Sequence, residues 1–126
     1  MKHLKSFNES QENFKEELQE FCELNLAYLL DEAELQIIPI HYLGFNNPSK
    51  DEHLIRILLN EPKHWDDIKD HMIPFFTRLV NKYEISKGVA IKFYDEEDYI
   101  SYSKEEILND TIEKSPSLYK IDIQIK

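Results

Sequence analysis

Glycine is nearly missing from this chain: only Gly44 and Gly88 occur in 126 residues. Loops that cradle phosphates need several close backbone approaches that only glycine allows, so Rossmann and P-loop nucleotide enzymes are excluded. Cysteine is scarcer still. The single thiol, Cys22, cannot form an internal disulfide, so the fold does not depend on an oxidising compartment. Its place among apolar helical positions marks it as core filler rather than a nucleophile. No run approaches the roughly 20 apolar residues that span a bilayer, and the first ten residues lack the apolar stretch of a secretory signal. A soluble intracellular protein with no membrane partner is the expectation. Positive charge is also in short supply: 15 Lys and Arg face 25 Asp and Glu, for a net charge of -10. That balance repels nucleic-acid phosphates, and no basic patch interleaved with aromatics offsets it, so direct nucleic-acid binding is not expected.

A chain of this length holds one domain and can bury a core without disulfides or metal. From Gln11 to about Leu30, the residues Phe14, Leu18, Phe21, Cys22, Tyr28 and Leu29 fall on one side of a helix and Glu16, Glu20 and Glu23 on the other. Asn25 sits in the apolar stripe, where its amide must find hydrogen-bond partners. Leu35 to Leu43 and His53 to Leu59 are β-rich runs with turn formers from Asn46 to Glu52 between them, which predicts a hairpin. Pro39 cannot donate to a ladder, so the first run belongs at a sheet edge or a bulge. Pro62 is expected in the first turn of a second helix with Trp65, Ile68, Met72, Phe75, Phe76, Leu79 and Tyr83 on its core face. Pro74 should kink that helix at Asp70 to Ile73 or divide it.

Gly88 then leads into Val89 to Tyr94, and the acids Asp95, Glu96, Glu97 and Asp98 make the tip of a second hairpin that returns through Tyr99 to Tyr102. Ser103 followed by Glu106 is a capping box that opens a short helix to about Lys114. Tyr119, Ile121, Ile123 and Ile125 alternate with Lys120, Asp122 and Gln124, the period of a strand with one wet face. The order αββαββαβ predicts an α+β two-layer sandwich: two main amphipathic helices on one face of a mixed or antiparallel sheet of four to five strands. Residues 1–10 read as a flexible N-terminal segment and 11–126 as the single domain.

Few groupings promise chemistry. His64, Asp67 and His71 lie within about 60° around one helix, but seven residues of rise set the histidine backbones about 10 Å apart, too far for easy chelation. A solvated flank is the expectation, with no metal and no cofactor. His41 and His53 fall on neighbouring strands and read as surface or cross-strand residues. No nucleophile, base and oxyanion grouping can be assembled, which argues against an enzyme. Acidic surfaces stand out more. Between Glu9 and Glu34 there are nine acids and one base, Lys15. Glu16, Glu20 and Glu23 form one candidate partner-binding face, and Asp95, Glu96, Glu97 and Asp98 another. Either could attract a basic protein, imitate the charge of a DNA backbone on a host DNA-binding defence protein, or serve only to solvate the fold.

The first ten residues, Met1-Lys2-His3-Leu4-Lys5-Ser6-Phe7-Asn8-Glu9-Ser10, have a basic start, spaced apolar residues at Leu4 and Phe7 and a glutamate at position 9. This stretch resembles the capsid-targeting N-termini of internal head proteins in T4-like tailed phages, which end at a glutamate cut by the prohead protease. Two residues before the cut that family usually carries Leu or Ile, where this chain has Phe7. The resemblance implies a small phage accessory protein that binds other proteins and enters the phage head. Leu4 and Phe7 would then meet the prohead scaffold or protease, and Glu9 would precede the cut. The expected location is the cytoplasm of the host cell or the virion interior. A helix-leading arm is the other reading of the same residues.

Overall fold

The isoleucines and valines that alternate along three central strands all turn to one side, where they share one buried core with apolar side chains of the helices. This is seen in a computed structural model, which describes residues 7–39, 52–94, 97–112 and 117–125, with side chains from Phe14 onward in the first helix. Along the chain come α1 (Phe7–Asn25), a 3-10 turn (Leu29–Asp31), β1 (Ala33–Pro39), β2 (His53–Lys63), α2 (Trp65–Lys82), β3 (Ile85–Phe93), β4 (Ile100–Tyr102), α3 (Lys104–Leu108) and β5 (Leu118–Ile125). The fold is α+β, and its sheet is open, five-stranded and wholly antiparallel in the order β1-β2-β5-β3-β4.

Register makes the covered face easy to follow. Leu35, Ile57, Ile121, Ile91 and Ile100 line up across the five strands, and Ile37, Ile55, Ile123, Val89 and Tyr102 form the next row. Ile55, Ile57, Ile91, Ile121 and Ile123 are completely buried. Leu18, Cys22 and Leu26 of α1, Trp65, Ile68, Met72, Phe75, Phe76 and Leu79 of α2, and Ile107 of α3 join them in one continuous core. β-branched cross-strand neighbours suit this pleated surface, and apolar burial at about 25 cal/mol per Å² supplies most of the drive to fold.

Several boundaries differ from the sequence expectation. α1 stops at Asn25, so the helical period no longer carries Tyr28 to the core: Tyr28 is 81% exposed, and the 3-10 turn buries Leu29 in its place. Pro62 does not open α2. It lies near the end of β2, inside the register shift between Leu58 and Lys63 that spares it a ladder position, and His64 takes the N-cap position of the helix, with no side-chain cap. α2 runs unbroken across Pro74, which faces solvent, so the carbonyl of Asp70 that loses its partner can be hydrated. β3 begins before Gly88 rather than after it. A Cβ at Gly88 would meet the Tyr102 carbonyl oxygen at 2.2 Å, so only glycine lets β4 approach here.

α3 opens with the expected capping box: the Ser103 hydroxyl accepts from the Glu106 amide at 3.2 Å, and the Glu106 carboxylate accepts from the Ser103 amide at 2.9 Å. The helix ends at Leu108, well before Lys114, because Asp110 takes a positive φ of 53°. β1 is an edge strand, as Pro39 requires. The first hairpin's expected turn, with His41, lies outside the described residues.

Candidate functional site

Two surfaces of opposite character carry the exposed chemistry. On α1, Glu16, Glu20 and Glu23 stand at i, i+4 and i+7 and are exposed along one face. Among the described residues none of the three forms an ion pair. Their neighbour Glu17 is engaged: its carboxylate lies 3.3 Å from Lys82 Nζ and accepts from the Tyr83 hydroxyl at 3.5 Å, tying α1 to the end of α2. Burial and then Glu17 push the Tyr83 hydroxyl up to about 12. Leu24 continues the line of Glu16 and Glu20 by one turn and is 81% exposed, and beyond the helix the Tyr28 ring lies 6.0 Å from that of His71. The acid row therefore ends in two large apolar side chains in water. Sequence periodicity found the carboxylates and missed this extension. The signal was present, because Leu24 sits opposite the Leu18 and Cys22 stripe.

The second acidic candidate lies elsewhere. Glu97 and Asp98 are exposed at the turn between β3 and β4, whereas Asp95 and Glu96 lie outside the described residues. α1 packs on β1 at one edge of the sheet and this turn sits at the other, so the two acidic groups are not brought together.

The second surface is the sheet face turned away from the core. At its centre Arg56 Nε and Nη2 donate to the two carboxylate oxygens of Asp122 at 2.9 and 3.1 Å, a bidentate pair joining β2 to β5. Asp122 is only 8% exposed although it lies on the uncovered side. Leu54, Gly88, Ala90, Ser101, Asp122 and Gln124 line a shallow concavity of about 380 Å³ beside it. Next along the face, Lys92 of β3 and Lys120 of β5 stand opposite each other, their ammonium groups 5.8 and 5.6 Å from the centre of the Tyr99 ring. The lysines are 28 residues apart in sequence, and only the strand pairing makes them neighbours.

The remaining candidates sit in structural roles. Burial and then the nearby Glu23 charge push the Cys22 thiol up to about 12, which leaves it unreactive at neutral pH. Asn25 donates to the Phe21 carbonyl at 2.8 Å and accepts from Arg78 at 3.0 Å, so its amide joins α1 to α2. His53, expected at the surface or across a strand, is buried, with its ring 4.8 Å from that of Phe14. His64, Asp67 and His71 are all exposed. Among the described residues no group of three or more His, Cys, Asp or Glu side chains is placed to hold a metal ion. Likewise, no helix among the described residues is long and apolar enough to cross a membrane. Phe7 and Glu9 belong to the first turn of α1, and Leu4 lies outside the described residues. Comparison with protein-family models, with curated proteins and with solved structures finds no match in any of the three.

Proposed function

We propose that this chain is a non-enzymatic protein-binding module whose α1 surface, Glu16, Glu20 and Glu23 with Leu24 and Tyr28, meets a basic amphipathic partner. One observation carries the reading: three carboxylates without an ion pair among the described residues run into two apolar side chains that are each 81% exposed. Exposed charge steers an oppositely charged partner to the surface, and an exposed apolar pair gives it something to bury on arrival. In this reading the α+β domain is a two-layer sandwich whose long helices cover one sheet face, with α1 free to present its outer side. An inert buried thiol fits a protein that binds rather than reacts. Fluorescence anisotropy with a labelled peptide alternating Lys and Leu provides the test. Glu16→Lys/Glu20→Lys/Glu23→Lys should weaken binding by about tenfold or more and lessen its salt sensitivity. Unchanged binding would leave the acids as solvation.

The likeness of residues 1–10 to phage targeting segments extends the proposal to a setting, an accessory protein of a T4-like phage packaged through Leu4, Phe7 and Glu9. Peptide mass spectrometry of purified virions should then find the protein, with a chain beginning at Ser10. Absence of its peptides from the virion would remove the targeting role and leave the α1 surface to act in the host cytoplasm.

A further inference from the structure

Lys92 and Lys120 are directly opposed on adjacent strands, a placement that puts their Cβ atoms about 5 Å apart. Like charges so placed repel, and an acid on a neighbouring strand normally relieves them. Here none does. Asp122, the acid nearest in register, gives both oxygens to Arg56, and among the described residues neither lysine forms an ion pair. Lys92 donates to the Glu97 carbonyl and both ammoniums lie over Tyr99, contacts that orient them without neutralising them. In a chain with ten more acids than bases, two such cations side by side keep their positive charge, although the carbonyl and the Tyr99 ring stabilise them in part. The half-buried Leu58 of β2 stands directly opposite Lys120 in the same row, and the half-buried Leu54 lies two rows along the same face.

We propose that the uncovered sheet face binds an acidic segment of a partner protein, with Lys92 and Lys120 receiving its carboxylates and Leu54 and Leu58 its apolar side chains. Charge complementarity selects this occupant. A nucleic acid fits worse: a net charge of -10 opposes a dense polyanion more strongly than a segment carrying a few carboxylates. Its bases would also find the Tyr99 ring already engaged by two ammoniums. This surface is independent of the α1 row, being of the opposite sign and on the opposite side of the sheet from the core.

The test uses the full chain and fluorescence anisotropy with a short labelled peptide alternating Glu and Leu, with labelled oligothymidine as the competing probe. The acidic peptide should bind, more weakly at high salt, and Lys92→Gln/Lys120→Gln should weaken it by about tenfold. A circular dichroism melt checks that this variant folds. Lys92→Glu/Lys120→Glu should shift preference towards the Lys and Leu peptide at this face even with the α1 acids replaced by Gln. No binding of the acidic peptide, equal binding by the Gln variant, or tighter binding of oligothymidine overturns the proposal. Because this surface is probed with an acidic peptide and the α1 row with a basic one, either reading can fail without the other.

Discussion

The two faces of the sheet are built from the same strands and obey different rules. On β2, Ile55 and Ile57 are completely buried, while Leu54, Arg56 and Leu58 between them remain half-exposed. On β5 the contrast is Ile121, Ile123 and Ile125 against Lys120 and Gln124. The two middle cross-strand rows on the covered face, Ile57-Ile121-Ile91 and Ile55-Ile123-Val89, are β-branched throughout the central strands. Rows on the other face mix one bidentate ion pair, two unneutralised lysines, leucines and small residues. The difference teaches where the sequence is constrained. The covered face is fixed by close packing, whereas on the other face each position answers first to solvent.

Removing one side chain from each face is the strongest way to break this comparison. Ile57→Ala deletes buried methyl groups amid Leu35, Ile121 and the helices, and should cost about 2–5 kcal/mol. Its chain neighbour Leu58→Ala should cost less, about 1–2 kcal/mol, because that side chain is only partly buried and leaves no enclosed cavity. Urea unfolding with a common m-value measures both. Equal losses would mean that the second face is as closely packed as the first, and both the contrast and the docking proposal would fall with it.

How much of this was legible in the sequence follows the same division. The covered face announced itself: Ile121, Ile123 and Ile125 alternate with polar residues, and the stripe from Trp65 to Leu79 repeats with the helical period. The capping box at Ser103 and the edge position of Pro39 were readable because one local rule decides each. Tyr28 was misplaced because period alone does not say where a helix stops, and Pro62 because a proline just before a helix and one at the ragged end of a strand look alike. The acid row on α1 was visible as i, i+4 and i+7 spacing. The Lys92 and Lys120 pair was not, since it depends on β5 inserting between β2 and β3, a choice made by tertiary packing rather than by any local pattern.

A smaller effect tests how the covered face is closed at its margin, where α3 packs against α2. Asp110 accepts from Trp65 Nε1 at 2.9 Å and from Lys69 Nζ at 3.0 Å, across 45 and 41 residues of chain. The Trp65 hydrogen bond first and the Lys69 ammonium second hold the Asp110 carboxyl below its ordinary 3.8. A carboxylate whose pKa is lower in the folded state adds stability above the unfolded value, near pH 4, and loses it as pH falls through the folded value. Asp110→Asn keeps a residue that tolerates the positive φ of 53° but removes the charge. Its melting temperature should therefore lie below that of the wild type at pH 7, and the gap should close as the pH is lowered beneath about 4. Asp110→Ala adds backbone strain of about 1–2 kcal/mol that no pH removes, so its gap should stay open. A gap for Asp110→Asn that ignored pH would show that the shape of the side chain, rather than its charge, holds α3 against Trp65.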